Sequence, residues 1–130
     1  MVIDTSAVIA ILLAEEDAER YTRAIELAAR PRMSAASYVE AAVVIDNRGD
    51  ALARREFDRF IRRAGIEVVS VNFEQAEMAR QAYRDFGKGR HPAELNFGDC
   101  FAHALAKFVD EPLLFKNPGF SLTDVKTEAL

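Results

Sequence analysis

Cysteine occurs once and histidine twice among the 130 residues, too few for a disulfide framework or a cluster of soft metal ligands. The single thiol, Cys100, has no internal partner and is expected to be a buried small hydrophobe, as suits a reducing compartment. Long apolar runs are also missing. The longest, residues 7–14, is far short of the roughly 18 residues that span a bilayer, and the opening Met1-Val2-Ile3-Asp4 has no basic leader. A soluble, cytoplasmic protein with no membrane contact is the expectation. Proline-rich and low-complexity stretches are absent, which removes the composition of a disordered chain. There is no basic excess either: 17 Lys and Arg stand against 21 Asp and Glu, a net charge of −4. Any nucleic-acid contact therefore has to come from local patches rather than from the field of the whole protein.

What is present is enough apolar material for one core, since 50% of the residues are hydrophobic; a single domain over residues 1–130 is expected. Residues 1–4 form a short apolar run closed by an acid, followed by Thr5-Ser6 and apolar residues up to Leu13, which spells strand, capped turn and helix. A second helix is expected over residues 17–29, stopped before Pro31, then a short strand at residues 32–34. The alanine- and valine-rich segment 36–46 spells a largely buried helix, closed by Asn47-Arg48-Gly49. Asp50 caps a further helix in which Ala53, Phe57, Phe60, Ile61 and Ala64 share a face and which ends at Gly65. A strand at residues 66–71 precedes a helix over 72–86 with Phe73, Ala76, Ala79 and Tyr83 along one side. The last long helix covers residues 97–109, and Leu113-Leu114-Phe115 forms a final strand before a turn at Asn117-Pro118-Gly119. Strands separated by helices cannot pair as hairpins and need crossover connections. The fold class is therefore α/β, a three-layer α/β/α sandwich around a short, mainly parallel central sheet, with ligands expected outside the carboxyl ends of the strands.

Three acids stand in apolar contexts near those ends. Asp4 closes the first strand, Glu40 opens the run of residues 41–45, and Asp99 lies in the first turn of an otherwise apolar helix. Each has an ordinary reading: Asp4 as a helix cap, Asn96 to Asp99 as a capping box, Glu40 on an exposed helix face. Together they suggest more. Clustered carboxylates raise one another's pKa unless a cation compensates them, and an all-oxygen donor set suits Mg²⁺, which takes one or two carboxylates and keeps several waters.

At these residues the sequence resembles a family. Met1-Val2-Ile3-Asp4-Thr5-Ser6-Ala7 resembles the opening of VapC-type PIN domains. Residues 34–40 resemble their second acidic element, and Leu95-Asn96-Phe97-Gly98-Asp99-Cys100 the third. Gly87-Lys88-Gly89-Arg90-His91-Pro92-Ala93 is similar to the loop before that third element in one VapC subgroup. The resemblance covers the whole chain in order. It implies a PIN-like sandwich and a Mg²⁺- or Mn²⁺-dependent endoribonuclease toxin, held inactive by a VapB-like antitoxin and forming a homodimer, for which the helices over residues 36–46 and 50–64 are candidate surfaces. Asp4, Glu40 and Asp99 match the family's catalytic, metal-binding carboxylates. Thr5 or Ser6 matches a hydroxyl that bonds within the acidic cluster, and Asn96 a polar neighbour that helps to orient it. The implied mechanism is hydrolysis of an RNA phosphodiester by metal-activated water, leaving a 5′-phosphate and a 3′-hydroxyl. One position departs from the pattern. Gly119 in Lys116-Asn117-Pro118-Gly119-Phe120 stands where the family commonly carries a fourth acid. That leaves one or two metal ions open, and with them the alternative of a weakened PIN domain that only binds RNA or a partner. An aspartate at position 119 is expected to tighten metal binding, with Asp124, more in keeping with a structural role, as a substitute acid.

Basic residues form two patches. Arg54, Arg55, Arg59, Arg62 and Arg63 lie within about half the circumference of one helix at roughly 100° per residue. They make either a solvated face paired with Glu56 and Asp58, or a track for RNA phosphates or an acidic antitoxin segment. Lys88, Arg90 and His91 form the second patch, in a loop that could meet RNA. His103 follows Asp99 by one helical turn; a buried, satisfied ring is the expectation, with a lean toward the acids as the alternative.

Overall fold

The computed structural model describes residues 1–130. Its sheet holds β1 (Val2–Ile3), β2 (Arg32–Ser34), β3 (Glu67–Val69) and β4 (Leu113–Leu114) in the order β3-β2-β1-β4. Every pairing is parallel, with Val2 opposite both Arg32 and Leu113. The connections are helical: α1 (Thr5–Leu12) and α2 (Ala18–Leu27) between β1 and β2, α3 (Ala35–Arg48) and α4 (Ala51–Arg63) between β2 and β3. After β3 come α5 (Phe73–Phe86) and α6 (Phe97–Val109), which lead to β4 and a 3₁₀ helix over Pro118–Leu122.

The strands are short but fully buried at the centre, and successive side chains point to opposite faces. Val2 and Leu113 enter an apolar cluster with Leu95, Leu105 and Phe120, beneath α5 and α6. Ile3 and Leu114 enter a second cluster with Val8, Ile25, Ile45 and Phe57, beneath α1 to α4. This alternation makes the sandwich three-layered, as the sequence pattern implies. Caps set the helix starts: Asp4, Ser34, Asp50, Asn72 and Asn96 each accept a hydrogen bond from a first-turn amide. Gly65 takes φ +65° just after α4, a left-handed conformation that glycine adopts without Cβ strain. No helix is long and apolar enough to cross a membrane.

The packing corrects three expectations. α3 is not largely buried: Ser37, Ala41 and Ile45 face the core, while Val39 and Val43 remain 56% and 51% exposed. In α5 the inward residues are Gln75, Ala79 and Ala82, and Phe73 is 78% exposed. The small side chains Ala79 and Ala82 join the cluster that holds α6, so the helix turns them inward and leaves the Phe73 and Tyr83 edge outside. Asn117-Pro118-Gly119 is not a free turn. Asn117 caps the 3₁₀ helix, accepting from the Gly119 amide at 3.0 Å, with Pro118 at its start.

Candidate active site at the carboxyl ends of the strands

Asp4 leaves β1 and caps α1 while remaining only 1% exposed. Its Oδ2 accepts from the Ser6 amide at 2.9 Å and the Ser6 hydroxyl at 2.5 Å. Its Oδ1 is buried with no hydrogen-bond partner. The Ser6 oxygen also accepts from the amides of Lys116 and Asn117, at 2.9 and 3.2 Å, so one hydroxyl uses its donor and both lone pairs. Ser6 thereby ties the segment leaving β4 to the acid that ends β1.

Asp99 lies at the third position of α6, where the capping box forms: Asn96 Oδ1 accepts from the Asp99 amide at 2.8 Å and Asp99 Oδ2 from the Asn96 amide at 2.9 Å. Asn117 Nδ2 donates to the same Oδ2 at 3.2 Å. The capping reading of Asp99 therefore holds, and the carboxylate still borders the cleft. Glu40 arrives from α3 and lies against the backbone of Gly98; a Cβ there would fall 2.0 Å from Glu40 Oε2. The missing side chain at position 98 is the space Glu40 occupies, beside the positive end of the α6 dipole. Thr5 donates to the Ser37 carbonyl at 3.0 Å. Its hydroxyl also neighbours the Glu40 carboxylate, but a single proton serves one acceptor at a time.

These acids line one open cleft of about 380 Å³, together with Arg48, Asn96, Lys116 and Asn117. Burial pushes the Asp4 carboxyl up to about 7, against the pull of the Ser6 hydrogen bonds and helped by repulsion from Asp99 and Glu40. Burial also raises Glu40, with Asp99 repelling it, and raises Asp99 against the stabilising bonds from Asn96 and Asn117. A divalent cation fits this arrangement. It would give Asp4 Oδ1 the partner it lacks and offset a negative charge that burial disfavours. No three Asp, Glu, His or Cys side chains converge closely enough to form a closed ligand set. The fit is therefore to an open site in which one or two carboxylates share a hard cation with solvent.

Gly98→Ala tests this packing. The new methyl group displaces the end of a flexible side chain, so the fold should survive while Glu40 leaves its position. The expected result is a melting temperature near wild type with the RNA cleavage that the family resemblance implies at least about tenfold lower, the scale of disturbing groups that orient a metal site. Unchanged activity would show that Glu40 has no work in that position.

The remaining candidates lie elsewhere. The α4 arginines Arg54, Arg55, Arg59, Arg62 and Arg63 are all exposed. Arg54 approaches Asp46 at 3.7 Å and Arg59 pairs with Glu56 at 3.3 Å, while Arg59 and Arg63 border a groove against α1 and α2. Lys88 flanks an apolar groove between α5 and α6, and Arg90 stacks 5.6 Å from the Tyr83 ring. His91 accepts from the Ala93 amide at 3.0 Å and packs edge-on against Phe86. None of these lines the acidic cleft. His103 turns away from it, buried and hydrogen-bonded through Nε2 to Asp124 Oδ1 at 2.9 Å. Asp124 also holds Lys107 at 3.1 Å, so it fastens the C-terminal segment to α6 and does not replace a missing acid.

Gly119 requires a correction. Its φ is not positive, so left-handed strain is not what excludes a side chain. A Cβ there would lie 2.2 Å from the Ala93 carbonyl oxygen, a backbone atom with little freedom to yield. Aspartate at this position would push two segments apart before it could serve a cation. The side chain of this segment that bonds to one of the three acids is Asn117, a residue with no site role among the sequence expectations. Asparagine immediately before Pro118 is a helix-start signal, but its bond to Asp99 follows only from the fold.

Comparison with known proteins agrees with this geometry. Residues 1–126 match the PIN domain family, and the chain belongs to it, within the VapC type. Ribonuclease VapC30 of Mycobacterium tuberculosis is 51% identical over 130 residues, 100% of this chain and 99% of that one. Two solved structures share the fold. Mycobacterium tuberculosis VapC20, described as a sarcin-ricin loop cleaving toxin, aligns with a TM-score of 0.79 at 14% identity, covering 99% of this chain and 98% of its own. A toxin-antitoxin complex from Klebsiella pneumoniae aligns at 0.69 and 15% identity, covering 92% and 89%.

Proposed function

We propose that this chain is the ribonuclease toxin of a toxin-antitoxin pair, a divalent-metal-dependent endoribonuclease restrained by a VapB-like antitoxin. The observation that carries the metal requirement is Asp4 Oδ1, a buried carboxylate oxygen without a partner in a cleft where burial holds Asp4, Glu40 and Asp99 above the ordinary carboxylate range. Asp4 and Asp99 would hold Mg²⁺ or Mn²⁺, with Glu40 binding directly or through water. When bound, the cation makes water nucleophilic near neutral pH and offsets charge that grows on the phosphate. Ser6 and Asn117 keep Asp4 and Asp99 in place by their hydrogen bonds, and Asn96 fixes the backbone that carries Asp99. Water attacks the scissile phosphorus in line, so the 2′-hydroxyl takes no part and the products are a 5′-phosphate and a 3′-hydroxyl.

The antitoxin assignment draws on the relatives' names and on the Klebsiella complex. A homodimer is proposed from the family resemblance, with exposed Val39, Val43 and Leu52 on α3 and α4 as apolar surface for it. A light-scattering mass equal to that of one chain at micromolar concentration would argue against the dimer. The central test is cleavage of single-stranded RNA by the purified chain in Mg²⁺, Mn²⁺ or EDTA, with end-group mapping. The expected result is cleavage in either metal, none in EDTA, and phosphate on the 5′ side. Undiminished cleavage in EDTA with cyclic phosphate ends would overturn the proposal.

A further inference from the structure

Arg48 lies in the last turn of α3 and lines the acidic cleft. Glu40, Val44 and Arg48 follow one another at four-residue steps along one helix face, and all three border that cleft. The other cation there, Lys116, is already committed, bonding to Glu15 and, at 3.0 Å, to Asp17. Arg48 forms no ion pair, whereas Arg54, six residues on, reaches Asp46. We infer that Arg48 is an RNA-positioning residue that grips a backbone phosphate next to the scissile one.

The inference rests on the proposed ribonuclease reading of the cleft and adds the residue that seats the substrate there. A phosphodiester entering this cleft meets the carboxylates of Asp4, Glu15, Glu40 and Asp99, so a permanently charged guanidinium at the margin offsets repulsion that would otherwise weaken binding. Eight residues along a helix span about 12 Å, which places Arg48 beyond the reacting phosphate, at a neighbouring one. An unpaired guanidinium keeps its full fork of donors, the geometry that takes two phosphate oxygens at once. The competing explanation is local: a basic residue in the last turn complements the α3 dipole. That role would change stability and leave RNA affinity alone.

Binding of a labelled single-stranded RNA, followed by fluorescence anisotropy in EDTA across a salt series, separates these. The proteins are wild type, Arg48→Gln, Arg48→Lys and Arg30→Gln. Arg30 removes the same charge near the opposite, amino end of β2, where it pairs with Glu67. For one lost phosphate contact, the slope of log affinity against log salt should fall by about 0.7. Affinity should drop about eightfold at 50 mM salt and about threefold at 200 mM, equally for RNAs of different sequence. Arg48→Lys should keep the slope, and Arg30→Gln should match wild type. Wild-type affinity and slope in Arg48→Gln, or an equal loss in Arg30→Gln, would overturn the inference. Parallel cleavage in Mg²⁺ separates the two ideas. If wild type cleaves and Arg48→Gln binds normally, the inference alone fails. If wild type binds through Arg48 without cleaving, the ribonuclease reading fails and the RNA contact stands. Absence of wild-type binding in EDTA would overturn the inference, and absence of wild-type cleavage in Mg²⁺ as well would overturn both.

Discussion

Asp4→Asn and Asp99→Asn should each reduce divalent-dependent RNA cleavage by more than about 100-fold, beyond the range typical of groups that only orient a metal site, while the fold persists. The fold persists because the existing bonds have acceptors to spare. An asparagine oxygen at position 4 can still accept from the Ser6 amide and hydroxyl, and one at position 99 from the Asn96 amide and Asn117. What each variant loses is a negative charge and, at position 4, the oxygen that has no protein partner. Steady-state cleavage and thermal melts on the same preparations check both halves. Turnover near wild type in either variant would remove that residue from the site.

Without divalent ions, the protein should become less stable as pH rises from about 4 to 7, and Asp4 should account for most of that loss. Its carboxyl titrates near 7 in the folded chain, against 3.8 as the ordinary value. Between those values the folded form holds a proton that the unfolded form has released, so raising the pH favours unfolding. The full shift corresponds to a ceiling of about 4 kcal/mol, and the raised values of Glu40 and Asp99 act in the same direction. Buried His103 opposes them: burial lowers its pKa below 6.5, so its contribution is lost as pH falls through that range. The informative quantity is therefore the difference between wild type and Asp4→Asn, measured by melting from pH 5 to 8 in EDTA. Asp4→Asn should gain on wild type as pH rises, and Mn²⁺ at pH 8 should raise the wild-type melting temperature much more than the variant's. Parallel pH profiles with equal responses to Mn²⁺ would show that Asp4 is not the strained group.

The two acids with the clearest local signatures illustrate a limit of reading residues one at a time. Asp4 caps α1, and Asp99 completes a capping box with Asn96, so the ordinary explanation of each is correct. It is also insufficient, because a cap uses only the oxygen that faces the backbone. For Asp4 the other oxygen is left buried and unsatisfied, and only the packing around it reveals that. Position 119 teaches the converse. Lining up family motifs implied that an acid had been lost and could be restored, whereas the Ala93 carbonyl occupies the space a side chain would need.

By itself the sequence determined the order and type of nearly every element, the parallel sheet, and the positions of Asp4, Glu40 and Asp99 at or near the strand ends. Those features rest on short-range physics: apolar periodicity, capping side chains, glycine and proline stops, and the rule that parallel strands need crossovers. The tertiary structure alone decided how the site is held. Ser6 meets Lys116 and Asn117 across more than 100 residues because β1 and β4 are neighbours. Glu40 rests on Gly98 because α3 and α6 approach where a Cβ is missing. The outward turn of Phe73 and Tyr83, and the arrival of Arg48 in the acidic cleft, likewise follow from which face each helix turns inward. Local propensity carries no record of that rotation, since it is set by the surfaces against which each helix packs.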